Sequence, residues 1–311
     1  MDERPGRFAR KGSLPCADTT EQNAQLVLDT HDDKLYVLKR IHCPTVDEAN
    51  EALSEARTLS RFKSPYVVEL SDFFLEHKQF PSNDRKLYVC IVMEYMEGGD
   101  LAVQIEQRAE SGLGPFPEKT VLCWFLQVLR ALHHVHCKGL IHRDIKPENL
   151  LLTTKDTVSF QSTPSCVRRA RHDSRSTCKC APLQRGAVIK VGDFGISKLL
   201  HQTVDKAHSK VGTPAFMAPE VQARQSYDRK ADIWALGCLL YQLATLRVPY
   251  FFMTTLDKVV QDVEDCGYHP VVSTLVRMML QLDPKDRPDT VALMKIFSSM
   301  TRKAPTTPGE A

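Results

Sequence analysis

Apolar and polar positions alternate with a period of two over residues 26–41, where Leu-Val-Leu and Leu-Tyr-Val-Leu-Lys-Arg-Ile flank the polar Thr-His-Asp-Asp-Lys. That pattern predicts two strands joined as a hairpin. The period then lengthens. Val46, Ala49, Leu53, Ala56 and Leu59 recur at helical spacing, and Ser64-Pro65 ends the segment near Phe62. A second strand pair is expected over 67–76 and 86–95, joined by a polar stretch containing Pro81. Past Gly98-Gly99 the character changes, because Val121, Trp124, Phe125, Val128, Leu132 and Val135 trace one face of a long helix. Segments 231–246, 255–264 and 271–282 are also helical by pattern. The expected class is therefore α+β, a small β-rich lobe followed by a larger helical one, with Glu94 to Asp100 as the connection. No internal repeat is present.

Residues 153–187 break the helical part with a Ser-, Thr- and Arg-rich stretch that has neither period, the composition of a flexible insertion. Charge sharpens this reading. The chain carries a net +3 over 311 residues, yet within residues 165–187 Arg168, Arg169, Arg171, Arg175, Lys179 and Arg185 face only Asp173, so the remainder is slightly acidic. A nucleic-acid function gains no support from such a balance. The insertion's Cys166, His172, Cys178 and Cys180 invite a zinc reading, but one pair is only C-x-C and no tight ligand pair faces it, so a basic loop with incidental cysteines is the simpler expectation. Its arginines would suit an acidic partner or a localisation signal.

The first residues carry charges where a secretory leader needs an apolar core, and no apolar run approaches a membrane span. Most of the ten cysteines lie inside apolar segments, as Cys90, Cys123 and Cys238 do, where reduced thiols pack as small hydrophobes. The expected setting is intracellular: cytoplasmic, with nuclear or cytoskeletal placement as the alternatives, and no membrane or nucleic-acid partner.

The strongest chemical signal is Ile141-His142-Arg143-Asp144-Ile145-Lys146-Pro147-Glu148-Asn149, followed downstream by Asp193-Phe194-Gly195. Phosphoryl transfer needs a carboxylate that orients the attacking hydroxyl and takes its proton, and metal ions that neutralise the phosphate. Asp144 suits the first task, and Asn149 and Asp193 suit the second. The competing reading, an ordinary surface loop, has to explain two ordered motifs by accident. Lys39, ending Tyr36-Val37-Leu38-Lys39, is weaker by itself, since a lysine at a strand end is usually a solvated charge. A lysine that holds the α- and β-phosphates needs a carboxylate partner, and the next helix offers Glu48, Glu51 and Glu55, of which Glu55, about two turns in, is best placed.

With Ala218-Pro219-Glu220, Asp232-Ile233-Trp234 and Arg287 added in order, residues 20–300 resemble the protein-kinase superfamily. Ile-Val-Met-Glu-Tyr at 91–95 followed by Glu-Gly-Gly-Asp-Leu, and Ala-His-Ser-Lys-Val-Gly-Thr-Pro at 207–214, are most similar to the NIMA-related kinases. The resemblance implies a bilobal fold with ATP and Mg2+ bound between lobes, against a hinge from Glu94 to Met96, with Met93 as gatekeeper. It implies an extension over 1–16, an N-lobe over 17–96, a C-lobe over 97–300 and a tail over 301–311. Glu220 and Arg287 look like the ion pair that anchors the activation segment, Asp232 like the brace of the catalytic-loop backbone, and His142 and Arg143 like structural members of that loop. Lys146 and Thr213 match the serine/threonine pattern. Ser209 matches the activation-loop serine, which implies an activating kinase or autophosphorylation, and the substrate is a protein with Ser or Thr.

One part departs from the family. Counted back from Lys39, the glycine-rich loop falls on Ala17 to Ala24, and no glycine is there, while Asp18 and Glu21 would repel phosphate. Two readings follow: an active serine/threonine kinase with an atypical roof over ATP, or a pseudokinase scaffold with weak or no ATP binding. A metabolic kinase is remote, because the P-loop pattern is missing.

Overall fold

The computed structural model describes residues 7–13, 24–61, 63–79, 85–154, 187–192, 214–249 and 254–303. Residues up to Met96 form one compact unit, and those from Glu97 to Val191 together with those after 213 form a second.

The first unit is a five-stranded antiparallel sheet in the order β1-β2-β3-β5-β4, from β1 (Phe8–Ser13), β2 (Ala24–Asp29), β3 (Leu35–Cys43), β4 (Leu70–Gln79) and β5 (Arg85–Glu94). The expected hairpins are β2–β3 and β4–β5; the second starts three residues late, with an irregular register between Leu70 and Asp72. Helix α1 (Val46–Ser60) is capped by Thr45, whose hydroxyl accepts from the Glu48 backbone at 3.2 Å. It buries Ala49, Ala52, Ala56 and Leu59, mostly small residues that allow close approach, and packs on β4 and β5. One sheet face is closed by Val27, Leu38, Cys90 and Val92, ringed by Phe8, Tyr36, Phe74 and Tyr88. Burial, reinforced by the neighbouring Glu76 carboxylate, pushes the Cys90 thiol up to about 12, so it packs as an inert hydrophobe.

Residues 8–13, expected as part of an extension, instead supply the edge strand β1, paired with β2 through a bulge at Arg10/Gly12. Its sequence, Phe-Ala-Arg-Lys-Gly-Ser, has no strand pattern, and its anchorage is long-range. Arg7 donates from Nη2 to Asp29 Oδ2 at 2.7 Å and reaches Asp72 at 3.3 Å, while Phe8 stacks on Phe74 with ring centroids 6.3 Å apart. Asp29 is fully buried, so its charge depends on this partner. The hydrogen bonds from Arg7 hold its carboxyl below the usual carboxylate range. A depressed carboxylate contributes stability that is present above the unfolded-state value, about 3.9, and lost as pH falls through the folded one. We therefore expect Arg7→Met to lower hydrogen-exchange protection of the β1–β2 amides by a pH-independent factor from pH 7 to about 5, with the difference shrinking below about pH 4. Equal protection in both proteins at pH 7 would remove the clamp.

The second unit is helical: α2 (Leu101–Glu110), α3 (Glu118–Cys137), α4 (Pro219–Gln222), α5 (Lys230–Thr245), α6 (Leu256–Glu264), α7 (Pro270–Met279) and α8 (Thr290–Lys303), with a two-stranded ribbon β6 (Leu150–Leu152) and β7 (Ile189–Val191). Helices α2 and α8 were not expected from the pattern. Asp100 caps α2 through the Val103 backbone at 3.0 Å. Helix α5 is apolar nearly all round, as a helix at the centre of a core must be, and α3, α6 and α7 pack against it.

Candidate active site

In the first unit, Lys39 lies on β3 opposite Ile91 of β5, and strand alternation turns it away from the Leu38 cluster. Of the three glutamates on α1, Glu51 is exposed, whereas Glu48 and Glu55 are half-buried. Glu55 stands one turn from Ala52 and Leu59 on the helix's packed side. Glu94 ends β5: its backbone N–H donates to the Glu69 carbonyl at 3.0 Å, and its Oε1 accepts from the Glu69 backbone at 2.7 Å. Met93 faces Val37 and Leu70 across the sheet, and Met96 is buried.

In the second unit the loop after α3 is held from α5. Asp232, 1% exposed, accepts from the His142 backbone on Oδ2 and from the Arg143 backbone on Oδ1, both at 2.8 Å. Its Oδ2 also meets His136 Nε2 at 2.8 Å. A carboxylate is suited to this position because it satisfies several buried donors at once. The loop needs the brace, since Arg143 has φ of 71°, a left-handed conformation that residues other than glycine seldom adopt. Its guanidinium lies over the Tyr227 ring, 5.9 Å from the centroid. His142 is fully buried, and its Nδ1 accepts from the Asp144 backbone at 3.3 Å, which sets the ring's tautomer.

Three of the expected site residues then converge. Pro147–Asn149 form a single 3-10 turn that brings Asn149 Nδ2 to the Asp144 carbonyl at 2.7 Å and to Asp144 Oδ2 at 3.0 Å. Lys146 Nζ lies 3.1 Å from the same Oδ2. Because its Nδ2 is directed at Asp144, Asn149 keeps Oδ1 as an oxygen donor of the kind magnesium takes. The carboxylate, the ammonium and the amide thus form one cluster in which Asp144 is partly exposed and Asn149 buried.

The following ribbon is tied to α3 and to the start of α2. Gln127 Oε1 accepts from the Ile189 backbone at 2.7 Å, and Leu152 exchanges bonds with Gly98 and Gly99. A Cβ on Gly98 would lie 2.6 Å from the Leu152 Cβ, so only glycine fits there. Beyond the strands, Thr153 N donates to the Val188 carbonyl and Val188 N to the Thr153 hydroxyl, each at 3.0 Å.

Glu220 and Arg287 make a two-pronged ion pair at 2.7 and 2.8 Å, with Arg287 1% exposed. The remaining guanidinium donors reach the carbonyls of Gln281, Leu282 and Lys230, the Trp234 ring lies under the group at 4.9 Å, and Lys230 Nζ donates to the Arg287 carbonyl.

Asp193, Ser209 and Thr213 lie outside the described residues, as do Cys166, His172, Cys178 and Cys180 of the zinc reading and the glycine-loop positions 17–23. Among the described residues no group of three His, Cys, Asp or Glu could hold a metal ion by itself, and no helix is long and apolar enough to cross a membrane. Sequence reasoning passed over His136 and Gln127. Both are buried polar residues on the core helix α3, and a polar residue among apolar helix positions is a signal that a partner waits elsewhere.

Residues 23–297 match the family model described as the protein kinase domain. Among curated proteins, the chain is 32% identical over 281 residues to serine/threonine-protein kinase Nek1 of Mus musculus, covering 88% of this chain and 20% of that protein. It is 34% identical over 272 residues to Nek8 of Danio rerio, covering 85% of this chain and 33% of that protein, and 30% identical over 281 residues to Nek5 of Homo sapiens, covering 88% and 34%. The chain thus spans only a fifth to a third of the length of these relatives.

Proposed function

We propose, from the premise that this chain belongs to the protein kinase domain family, that it is a serine/threonine protein kinase transferring the γ-phosphate of Mg·ATP to a protein hydroxyl. The observation that carries this is the Asp144–Lys146–Asn149 cluster, held by a loop whose strained backbone is fixed from α5. Mg·ATP, when bound, supplies the phosphoryl group and neutralises its charge. The chain's own residues do the rest. Asp144 Oδ2 takes the amide of Asn149 and the ammonium of Lys146, and we assign the other carboxylate oxygen to orient the acceptor hydroxyl and receive its proton. Lys146 stabilises charge on the transferring phosphate. Asn149 and Asp193 hold the metal, Lys39 grips the α- and β-phosphates, Glu55 fixes Lys39, and Glu94 to Met96 receive the adenine. Thr213 and Lys146 favour Ser and Thr acceptors, and phosphorylation of Ser209 orders the segment through Arg143. The similarity to the Nek1, Nek8 and Nek5 kinases supports this assignment.

A second reading, a nucleotide-poor scaffold, draws on one observation: the family match begins at residue 23, next to β2, and the ten residues between β1 and β2 contain no glycine. A glycine loop covers and positions phosphates but does no chemistry, so its loss should raise the ATP requirement before it ends transfer. Radiolabel transfer to a generic protein acceptor, over a wide range of Mg·ATP, separates the two. We expect transfer with a KM for ATP that falls at least tenfold in the Ala17→Gly, Thr19→Gly, Gln22→Gly triple variant. Absence of transfer at saturating ATP in both proteins would establish the scaffold.

A further inference from the structure

Among the described residues, Cys43, Cys90, Cys123 and Cys238 are buried, and Cys266 is half-buried with its thiol directed at the Asp262 carbonyl, 3.2 Å away. Burial pushes the thiols of Cys43, Cys90, Cys238 and Cys266 up, so they pack and do not react. Cys137, the last residue of α3, is exposed. One turn back on the same face stands His133, and the Cys137 sulfur lies 3.5 Å from its Nε2 and 3.7 Å from its Nδ1. The ring is held from another element: Nδ1 meets the hydroxyl of Thr290, 3% exposed at the start of α8, at 3.1 Å. Burial pushes the proton affinity of His133 down, His136 and His134 push it further, and the Asp289 carboxylate opposes them. The imidazole is therefore neutral near pH 7, a base beside an accessible thiol.

We propose that Cys137 is a site of reversible thiol–disulfide exchange with low-molecular-weight disulfides of the glutathione type, with His133 as its base and Thr290 as the residue that positions the base. This chemistry is independent of the kinase reading above. A hydroxyl accepts as readily as it donates, so Thr290 Oγ1 can take the Nδ1–H and leave Nε2 a bare acceptor towards the sulfur. In the step, the thiol proton passes to Nε2, the Cys137 sulfur attacks one sulfur of the disulfide, the S–S bond breaks, and the departing thiolate takes the proton from the imidazolium. One mixed disulfide and one free thiol result, so the electrons balance with the disulfide as the oxidant. Two features tie the step to His133. The sulfur sits at the carbonyl end of α3, which disfavours an anion, so the helix itself does not ionise the thiol. Asp289, which accepts from the Ala292 backbone at 2.7 Å at the start of α8, favours the imidazolium that forms. The competing reading, a thiol that merely packs, does not fit an exposed side chain at the end of a helix.

The test exposes the full chain, reduced and native, to oxidised glutathione at pH 7 and follows the mixed disulfide at each cysteine by peptide mass mapping. The same chain unfolded in urea is the reference, because there every thiol is accessible and none has a fixed neighbour. Cys137 should react about fivefold faster in the native chain than in the unfolded one, and added thiol should reverse the adduct. Cys43, Cys90, Cys123, Cys238 and Cys266 should instead react more slowly in the native chain. His133→Gln, which cannot take the proton, and Thr290→Val, which keeps the volume but loses the hydroxyl, should each bring the native rate at Cys137 down to the unfolded value or below. A native Cys137 that reacts no faster than the unfolded one, or an unchanged rate in either variant, overturns the proposal. If the variants do not melt as the parent does, the native and unfolded parent decide alone, since accessibility by itself can only make a native thiol slower.

Discussion

Asp144→Asn should lower phosphoryl transfer by about a thousandfold while leaving the fold and nucleotide affinity close to those of the parent, the middle of the range for loss of a positioned general base. The geometry makes the substitution clean. An asparagine oxygen can still accept from Asn149 Nδ2, so the turn at Pro147–Asn149 keeps its contact, and only the charge facing Lys146 and the proton-accepting capacity disappear. That ion pair is partly exposed, with side chains 22% and 26% accessible, so its loss should hardly move the melting temperature. Single-turnover transfer, ATP binding and thermal unfolding measured on the same preparation decide the matter. A variant within tenfold of the parent would mean that Asp144 is not the base, and a variant that binds no ATP would mean that the cluster is structural.

The second large effect lies where no chemistry is expected. Arg287→Met leaves the Glu220 carboxyl group in the interior with its cation gone, and breaking a buried pair in this way costs about 3–5 kcal/mol. For a unit of this size, each kcal/mol moves the melting temperature by about 2–4 °C, so calorimetry should show a fall on the order of 10 °C. Replacing both partners, Glu220→Leu with Arg287→Met, should recover much of the loss, because two apolar side chains need no partner. If the single variant melts with the parent, the pair does not anchor the segment around Ala218 and Pro219. An activity loss in Arg287→Met with a normal melting profile would instead argue for a direct role in transfer.

Local periodicity carried the reading of the strands β2 to β5, because Val27, Leu38, Cys90 and Val92 alternate onto one buried face. Helices α1 and α3 were legible for the same reason at helical spacing. Where tertiary contact decides, the chain was silent. β1 is pinned by an arginine and an aspartate 22 residues apart, and its own residues carry no strand pattern. Helix α2 did leave a mark, since Asp100 after Gly98-Gly99 is a capping residue, but its short body, half of it polar, hid the helical period. The Asp144, Lys146 and Asn149 cluster was readable because all three lie within six residues of one another. His136 was not, as its bond to Asp232 spans 96 residues.

The mutual bonds of Thr153 and Val188 have a consequence for how such a chain can change over evolutionary time. The long segment between them leaves and returns at one point of the ribbon, so the ribbon registers only that its ends meet and not how many residues lie between. Closing a loop grows more costly only with the logarithm of its length, by about 0.6 kcal/mol per doubling. A change in the length of the segment therefore alters the cost of joining Thr153 to Val188 only slightly, and Asn149 lies three residues before the end of the β6 strand that this closure holds. Selection can therefore vary the number of residues between the two ends while the ribbon itself stays closed.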